Sequence, residues 1–558
     1  MRYALLFLLY LLPLLAAGQT PISITVNASQ RLGLTSRAWA YFGYDEPNYT
    51  YTKNGRKLIG ELAALSDRPV HIRTHFLLAT GDGTAGLKWG STNAYSEDAA
   101  GKPVYDWTIV DRILATYAEA GAVPFVEIGF MPKALSTHPD PYTPTWVPGA
   151  KNDGYYIGWT YPPSDYGKWG ELVYQWVQHS VNKYGKAVVE QWDWEVWNEP
   201  DIAYWHGTPE EYDKLYDYTA AAVKRALPSA RVGGPASTGP ANARAAEFLH
   251  QFLSHCATGR NYATGRKGAP LDFISFHVKG KPSVEGDHVR MGISQEMKDA
   301  ARGFEIVASF PNFKHLPLIL SEADPEGCAA CSTREYPQNA YRNGTLYASY
   351  EAAAFKSLLT LAVVHGVQLQ GVLTWAFEFE ERPYFAGFRT LATNGVDKPV
   401  LNFFRMAGLM LADSLKVDSS GAVAAEAMLQ SGVRAPSDID AIASRSDRGV
   451  SVMIWNYRDQ EVGGATKNVE LNVSGLPPEA RRVLSRHYRI DGDHSNAYSL
   501  WKQMGSPQTP DAGQYAKLEA AGQLQLLDSP RWMDSESGST AITLSIPSQA
   551  ISLVELSW

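Results

Sequence analysis

Two glutamates carry the strongest chemical signal in the chain. Glu199 lies in Trp194-Glu-Val-Trp-Asn-Glu-Pro-Asp, behind a strand-like run and ahead of the aromatic loop Ile202-Ala-Tyr-Trp-His. Glu322 follows the apolar run Leu316-Pro-Leu-Ile-Leu, where a carboxylate is costly to hold unless it reaches a polar cavity. One carboxyl that protonates a departing oxygen, and a second that attacks the carbon being left, form the pair a retaining glycosidase needs. Asn198 can bind a sugar hydroxyl beside the reacting carbon. Asp324 and Glu326 compete with Glu322 as nucleophile but lie further into the loop. His75, His277 and Glu127 also end apolar strand-like runs. Each histidine could equally cap a strand, and Glu127 could face the acid or clamp Arg73. No His, Asp and Glu residues stand at metal-ligand spacing, so neither metal nor cofactor is expected.

Carboxylates at the ends of several different strands need a scaffold whose strands converge on one mouth. Helical and strand-like patterns alternate up to about residue 412, with crossover strands beginning at Val70, Val123, Gln191, Ala230, Leu271, Leu316 and Val372. Phe388 to Ala392, or a short segment near it, is the expected eighth. That rhythm predicts a (β/α)8 TIM barrel over about 55–412. An open doubly wound sheet would show a nucleotide-binding glycine cluster after its first strand, and none is present. Beyond about 425 the pattern changes to short period-2 segments such as Val450-Ser-Val-Met-Ile-Trp and Ala550-Ile-Ser-Leu-Val-Glu-Leu. These predict an accessory β-sandwich domain over 425–558, completed by N-terminal strands within 19–54.

Composition bounds the partners. With 45% hydrophobic and 19% charged residues the chain folds, and a net charge of -8 without a basic run argues against nucleic acid. Residues 1–18 combine Arg2, a short apolar run broken by Pro13, and the small residues Ala16-Ala-Gly, which reads as a cleaved signal peptide rather than an anchor. The mature protein is then expected to be secreted or periplasmic, with no membrane partner. Export also gives meaning to the glycosylation triplets at Asn27, Asn48, Asn343 and Asn472. Most of the 16 tryptophans are expected in the core.

The segments Trp197-Asn-Glu-Pro, Ser321-Glu-Ala-Asp, Val126-Glu-Ile-Gly-Phe-Met-Pro, Val232-Gly-Gly-Pro and Arg489-Ile-Asp-Gly-Asp-His-Ser-Asn-Ala-Tyr together resemble glycoside hydrolase family 39. That family holds β-xylosidases and α-L-iduronidases, and the likeness covers nearly the whole mature chain. It implies a TIM barrel with a β-sandwich, retention of configuration, Glu199 as acid/base and Glu322 as nucleophile. It also implies that His75 and His277 contact the sugar whose bond is cut, that Trp375 walls its site, and that Glu380 or Glu378 binds a hydroxyl. His277-Val-Lys279-Gly resembles the iduronidase arrangement, in which the lysine meets the sugar carboxylate; Lys279 could equally bind a neutral hydroxyl or form a salt bridge. Arg382 and Arg389 are candidates for the second cation that a uronate needs. Trp375-Ala-Phe-Glu-Phe-Glu-Glu and Ala323-Asp-Pro-Glu-Gly-Cys look more like the xylosidase members. The expected activity is therefore release of xylose from the non-reducing end of β-1,4-xylo-oligosaccharides. An arabinose- or arabinobiose-releasing enzyme, an iduronidase-like uronidase, and a non-enzymatic carbohydrate-binding protein are the alternatives. Cys328-Ala-Ala-Cys331, six residues past Glu322, reads in a secreted hydrolase as a small disulfide loop at the site's rim, with free thiols as the alternative. Cys256, on an apolar helix face, is expected to be buried and unpaired.

Overall fold

The computed structural model describes residues 20–143 and 157–558. The expected signal peptide lies outside the described residues. Eight parallel strands close into a barrel: β1 (Tyr41–Tyr44), β2 (His71–Thr74), β3 (Val123–Ile128), β4 (Asp193–Val196), β5 (Arg231–Ser237), β6 (Phe273–Lys279), β7 (Pro317–Asp324) and β8 (Gln368–Trp375). Period-2 alternation sorts their side chains. Tyr41, Phe125, Phe273, Ile319, Leu373 and Trp375 cluster inside the barrel, while Phe42, Ile72, Val126, Ile274 and Leu320 join the larger core beneath the helices.

The eighth strand corrects the sequence reading. It is Tyr41–Tyr44, paired in parallel with β8 and β2, and Phe388–Ala392 is not a barrel strand. All four residues of β1 are buried, so they lack the alternation that marks a half-exposed strand, and they follow directly on strand-like sequence. The stretch 19–54 is accordingly divided: Ile22–Leu34 joins the accessory sheet and Tyr41–Tyr44 the barrel. The accessory sheet also takes up Asp413–Ser419, ahead of the expected boundary at 425.

That sheet has ten strands and is built from both ends of the chain, with Ile22–Leu34 parallel to Lys467–Ser474 and antiparallel to Asp413–Ser419. Ile24, Val452, Leu471, Val483, Leu544 and Val554, drawn from across its width, share one core, so the sheet curls over its own inner face. The opposite face of Gly449–Tyr457 contributes Met453, Trp455 and Tyr457 to the barrel's core. A strand buried on both faces explains why the two units pack as one body there.

Helices follow the expected patterns. Tyr166–Tyr184 buries Trp169, Leu172, Val173, Trp176 and Val177 and starts on Asp165, whose carboxylate accepts from the amides of Gly167 and Lys168. Most of the tryptophans described are core, as expected.

Candidate active site

The upper layer of the barrel interior is polar. Arg73 on β2 is fully buried, and its guanidinium lies 2.5 Å from Glu195, 3.3 Å from Glu127 and 3.3 Å from Glu322. It also donates to Asn198 Oδ1 at 3.0 Å. A buried cation with so many acceptors is worth holding only where breaking any one contact leaves a charge unpaired. Arg73 thereby ties β2, β3, β4 and β7 together at one point. Of the two readings of Glu127, the clamp on Arg73 is the one the geometry supports, and Glu127 Oε2 also lies 2.9 Å from His75 Nε2.

Glu199 reaches the mouth from the turn after β4. Trp197 and Glu199 both hold positive φ, 71° and 45°, a conformation costly for residues with side chains. Packing overrides that cost. The Trp197 indole is buried against Phe130 and Trp205 and donates to the Tyr204 carbonyl, while the Glu199 amide donates to the Ala236 carbonyl at 2.8 Å.

Glu322 is aimed by an irregularity. With Ile319 inside and Leu320 outside, strict alternation would turn Glu322 toward the helices. The β6–β7 register shifts between Leu320 and Glu322, placing Glu322 opposite His277. Ser321 is the extra residue, and beyond it Glu322 faces the cavity.

The two carboxylates meet across His277. Its Nδ1 lies 2.9 Å from Glu199 Oε1 and 3.7 Å from Glu322 Oε2. One oxygen of each glutamate and a ring nitrogen of His277 all fall within 4.8 Å of one another. This corrects the expectation that ligand-spaced groups are absent, since two different strands and the turn after a third supply them. Cations of the protein already serve that carboxylate: Lys279 Nζ lies 2.7 Å from Glu322 Oε2 and Arg73 lies on the other oxygen. Burial alone would raise the Glu322 carboxyl; His277, Lys279, Arg73 and His75 overcome it and hold the group well below the usual carboxylate range. His75, caught between Asp45 and Glu127, is lowered by burial but pushed up to about 10 by those carboxylates.

Several of these groups border one cavity of about 720 Å³. His75, Asn198, Glu199, Lys279, Glu322 and Trp375 all border it. Trp375 forms a wall, its ring 4.3 Å from that of His75, and its amide donates to Asp324 at 2.9 Å. The rival nucleophiles are engaged elsewhere: Asp324 pairs with Lys279 and Arg389, and Glu326 with Arg342 and Arg389. His277 lies on the inward face of β6, two residues before Lys279, but it is fully buried and is not among the residues that border the cavity; it meets the site through its Nδ1 contacts with the two glutamates.

Glu380 is a correction. It lies outside this cavity, in a neighbouring cleft with Arg382 and Tyr384, and accepts the Asn54 amide in the first turn of the helix Lys53–Ala63. A carboxylate is favoured at a helix N-terminus, which accounts for the position. Glu378 is buried and accepts the Gly395 amide at 2.5 Å, so it too is turned from the sugar site. Neither candidate second cation lines the cavity. Arg389 is buried beneath it in ion pairs, and Arg382 stands in the neighbouring cleft. Asp45 was missed by the sequence reading. It borders the cavity just after β1, and recognising β1 as a barrel strand would have pointed to it.

The Cys328–Cys331 disulfide is formed, and Cys256 is buried and unpaired. The carbonyls of both bridged cysteines accept from Arg342, which joins the loop to the ion pairs under Asp324. Among the glycosylation triplets, Asn48 and Asn343 are fully buried and their amides donate to the carbonyls of Ser91 and Phe385, leaving no room for a glycan.

A family profile described as glycosyl hydrolases family 39 matches residues 83–532. A β-xylosidase of Geobacillus stearothermophilus is 27% identical over 475 residues, covering 82% of each chain. An α-L-iduronidase of Homo sapiens is 26% identical over 379 residues, covering 63% of this chain and 55% of the human protein. The crystal structure of a monomeric β-xylosidase from Caulobacter crescentus superimposes with a TM-score of 0.74 at 23% identity, over 96% of this chain and 99% of the other.

Proposed function

The chain belongs to glycosyl hydrolases family 39, and on that premise we propose that it is a retaining exo-glycosidase releasing xylose from the non-reducing end of β-1,4-xylo-oligosaccharides by double displacement. One observation carries the mechanism: oxygens of Glu199 and Glu322 lie within 4.8 Å of each other. Retaining enzymes hold their carboxyl groups roughly 5–5.5 Å apart, whereas inverting ones leave about 6.5–9.5 Å for a water.

In this reading Glu322 attacks the anomeric carbon. The cations around it keep it ionised, and its pair with Lys279 aims the oxygen. Glu199 gives its proton to the leaving oxygen, then takes one from the water that cleaves the glycosyl ester. Asn198, held by Arg73, and His75 bind hydroxyls, and Trp375 supports the ring's apolar face.

The preference for a neutral sugar rests on Lys279. Its ammonium is committed to Glu322 and Asp324, and the arginines that could have joined it on a carboxylate lie elsewhere. The greater coverage of the bacterial β-xylosidase points the same way. The reading includes secretion after loss of residues 1–18, which N-terminal sequencing of the exported protein checks. Hydrolysis of matched aryl β-xyloside, α-L-arabinoside, β-glucoside and α-L-iduronide substrates tests the activity. The xyloside is expected to have the highest kcat/KM, and a higher value for the iduronide would transfer the protein to the uronidase reading.

A further inference from the structure

The accessory sheet carries a groove remote in sequence from the catalytic strands. Its wall is the short strand Arg531–Asp534, which pairs with Arg482–Ile490 and, among the described residues, with no other strand. Trp532 on this edge is 56% exposed, whereas Trp159, Trp169, Trp176, Trp192, Trp194 and Trp197 of the barrel are fully buried. An indole left in water at a sheet edge adds little to the core. The ring makes a cation–π contact. Arg482 lies over it, 5.5 Å from its centroid, and the same guanidinium pairs with Asp534. The exposed ring presents a flat apolar surface on which something can stack.

The rest of the groove mixes Val473, Met533 and Ala541 with a larger set of polar residues. It encloses about 850 Å³ and is bordered by Thr25, Asn472, Ser474, Glu536 and Ser539. Hydroxyls, an amide and a carboxylate surrounding one aromatic platform match a pyranose, which has apolar C–H faces and a rim of hydroxyls. Arg531 is offset by Asp534 and Glu536, so the groove offers no concentration of positive charge for a polyanion. Val473 is buried and Met533 half-buried, so Trp532 is the one large apolar side chain that the described residues bordering this groove leave exposed, short of the apolar patch at the centre of a protein interface.

We propose that this groove is a second carbohydrate-binding site, taking a stretch of neutral polysaccharide with a pyranose stacked on Trp532; that the polymer is xylan rests on the activity proposed above. Bound there, the chain's own substrate polymer raises the local concentration of ends available to the barrel mouth. Of the two surface-accessible glycosylation triplets, Asn472 borders this groove, so a glycan on it would compete for the same space.

The test uses the full chain made in a host that does not glycosylate. Depletion of protein from solution onto insoluble xylan, cellulose and arabinan is measured in an E322A background, which prevents digestion of the polymer. Trp532→Ala should weaken retention on xylan about tenfold, as expected for loss of an aromatic platform, and Trp532→Phe should restore most of it. Ser474→Trp, a substitution outside the edge strand that fills the groove, should weaken retention likewise. In the otherwise unaltered enzyme, Trp532→Ala should leave kcat/KM on a soluble aryl xyloside unchanged. Retention that is indifferent to both Trp532→Ala and Ser474→Trp on all three polymers overturns the site, as does a concentration-dependent dimer abolished by Trp532→Ala, which would make the face a self-association surface. If the wild type hydrolyses no xyloside but Trp532-dependent retention persists on one of the neutral polymers, the proposed activity falls and the binding site stands.

Discussion

Replacing Lys279 by methionine keeps most of the side chain's length and removes its charge. The ammonium lies 2.7 Å from Glu322 Oε2, with side-chain exposures of 17% and 8%, so this is a largely desolvated, charge-assisted contact. Such a bond contributes roughly 1.5–3 kcal/mol, equivalent to about one to two pH units in the titration of its acceptor. Burial opposes ionisation of Glu322 and four neighbouring cationic or hydrogen-bonding groups favour it, so removing one must move its protonation upward. The acid limb of kcat/KM on an activated aryl β-xyloside should therefore shift to higher pH by that amount in K279M. At pH 6 both enzymes still hold Glu322 ionised. A loss of activity there reports the sugar contact instead, and if Lys279 also meets a xylose hydroxyl in the transition state it should reach about 10- to 150-fold. Initial rates from pH 2 to 8 measure both effects, because a carboxyl held so far below the usual range titrates at the acid end of that interval, where the limb should enter in K279M before it does in wild type. An unmoved acid limb together with wild-type kcat/KM at pH 6 would refute the role given to Lys279.

Other outcomes follow from the same geometry. E199A should lose most activity on xylobiose and far less in glycosylation by an activated aryl xyloside, and azide should restore turnover with the β-azide as product, since retention is two inversions; NMR showing the α-azide would overturn the assignment. E322A should be nearly inactive on both substrates, and a 2-fluoro xyloside should label the wild-type peptide containing Ser321-Glu322-Ala323, which peptide mass mapping reads; a label on Asp324 would reverse the choice. Glu378, pushed up to about 8 chiefly by burial, is protonated in the fold where the unfolded chain has already lost that proton. Its contribution to stability is complete below about pH 4.5 and is lost as pH rises toward 8. Melting temperatures across pH 5–8.5 should therefore fall less steeply in E378Q than in wild type, and equal slopes would contradict the burial argument.

Much of this protein is written in local sequence. The barrel rhythm, the period-2 pattern of the accessory sheet and the position of Glu199 after a strand all depend on neighbours a few residues away, and side-chain periodicity records such relations directly. Lys279 follows the same logic: two residues from His277 on one strand, it had to share the inward face.

The remainder depended on contacts between distant segments. β1 is four buried residues whose partners lie on β2 and β8, so no alternation within it could reveal a barrel strand. The inward turn of Glu322 comes from the register shift against β6, because strict alternation from Ile319 would have turned it away. Arg73 becomes the hub of the site only when barrel closure brings Glu127, Glu195, Asn198 and Glu322 around it. Glu380 shows the converse: its nearness in sequence to Trp375 suggested a sugar ligand, but the chain turns between them and delivers it to a helix N-terminus. The sequence by itself determined which residues could do chemistry and the strands that carry most of them. Only the tertiary structure decided which carboxylates share a cavity, because that choice rests on strand register and closure across hundreds of residues rather than on any local pattern.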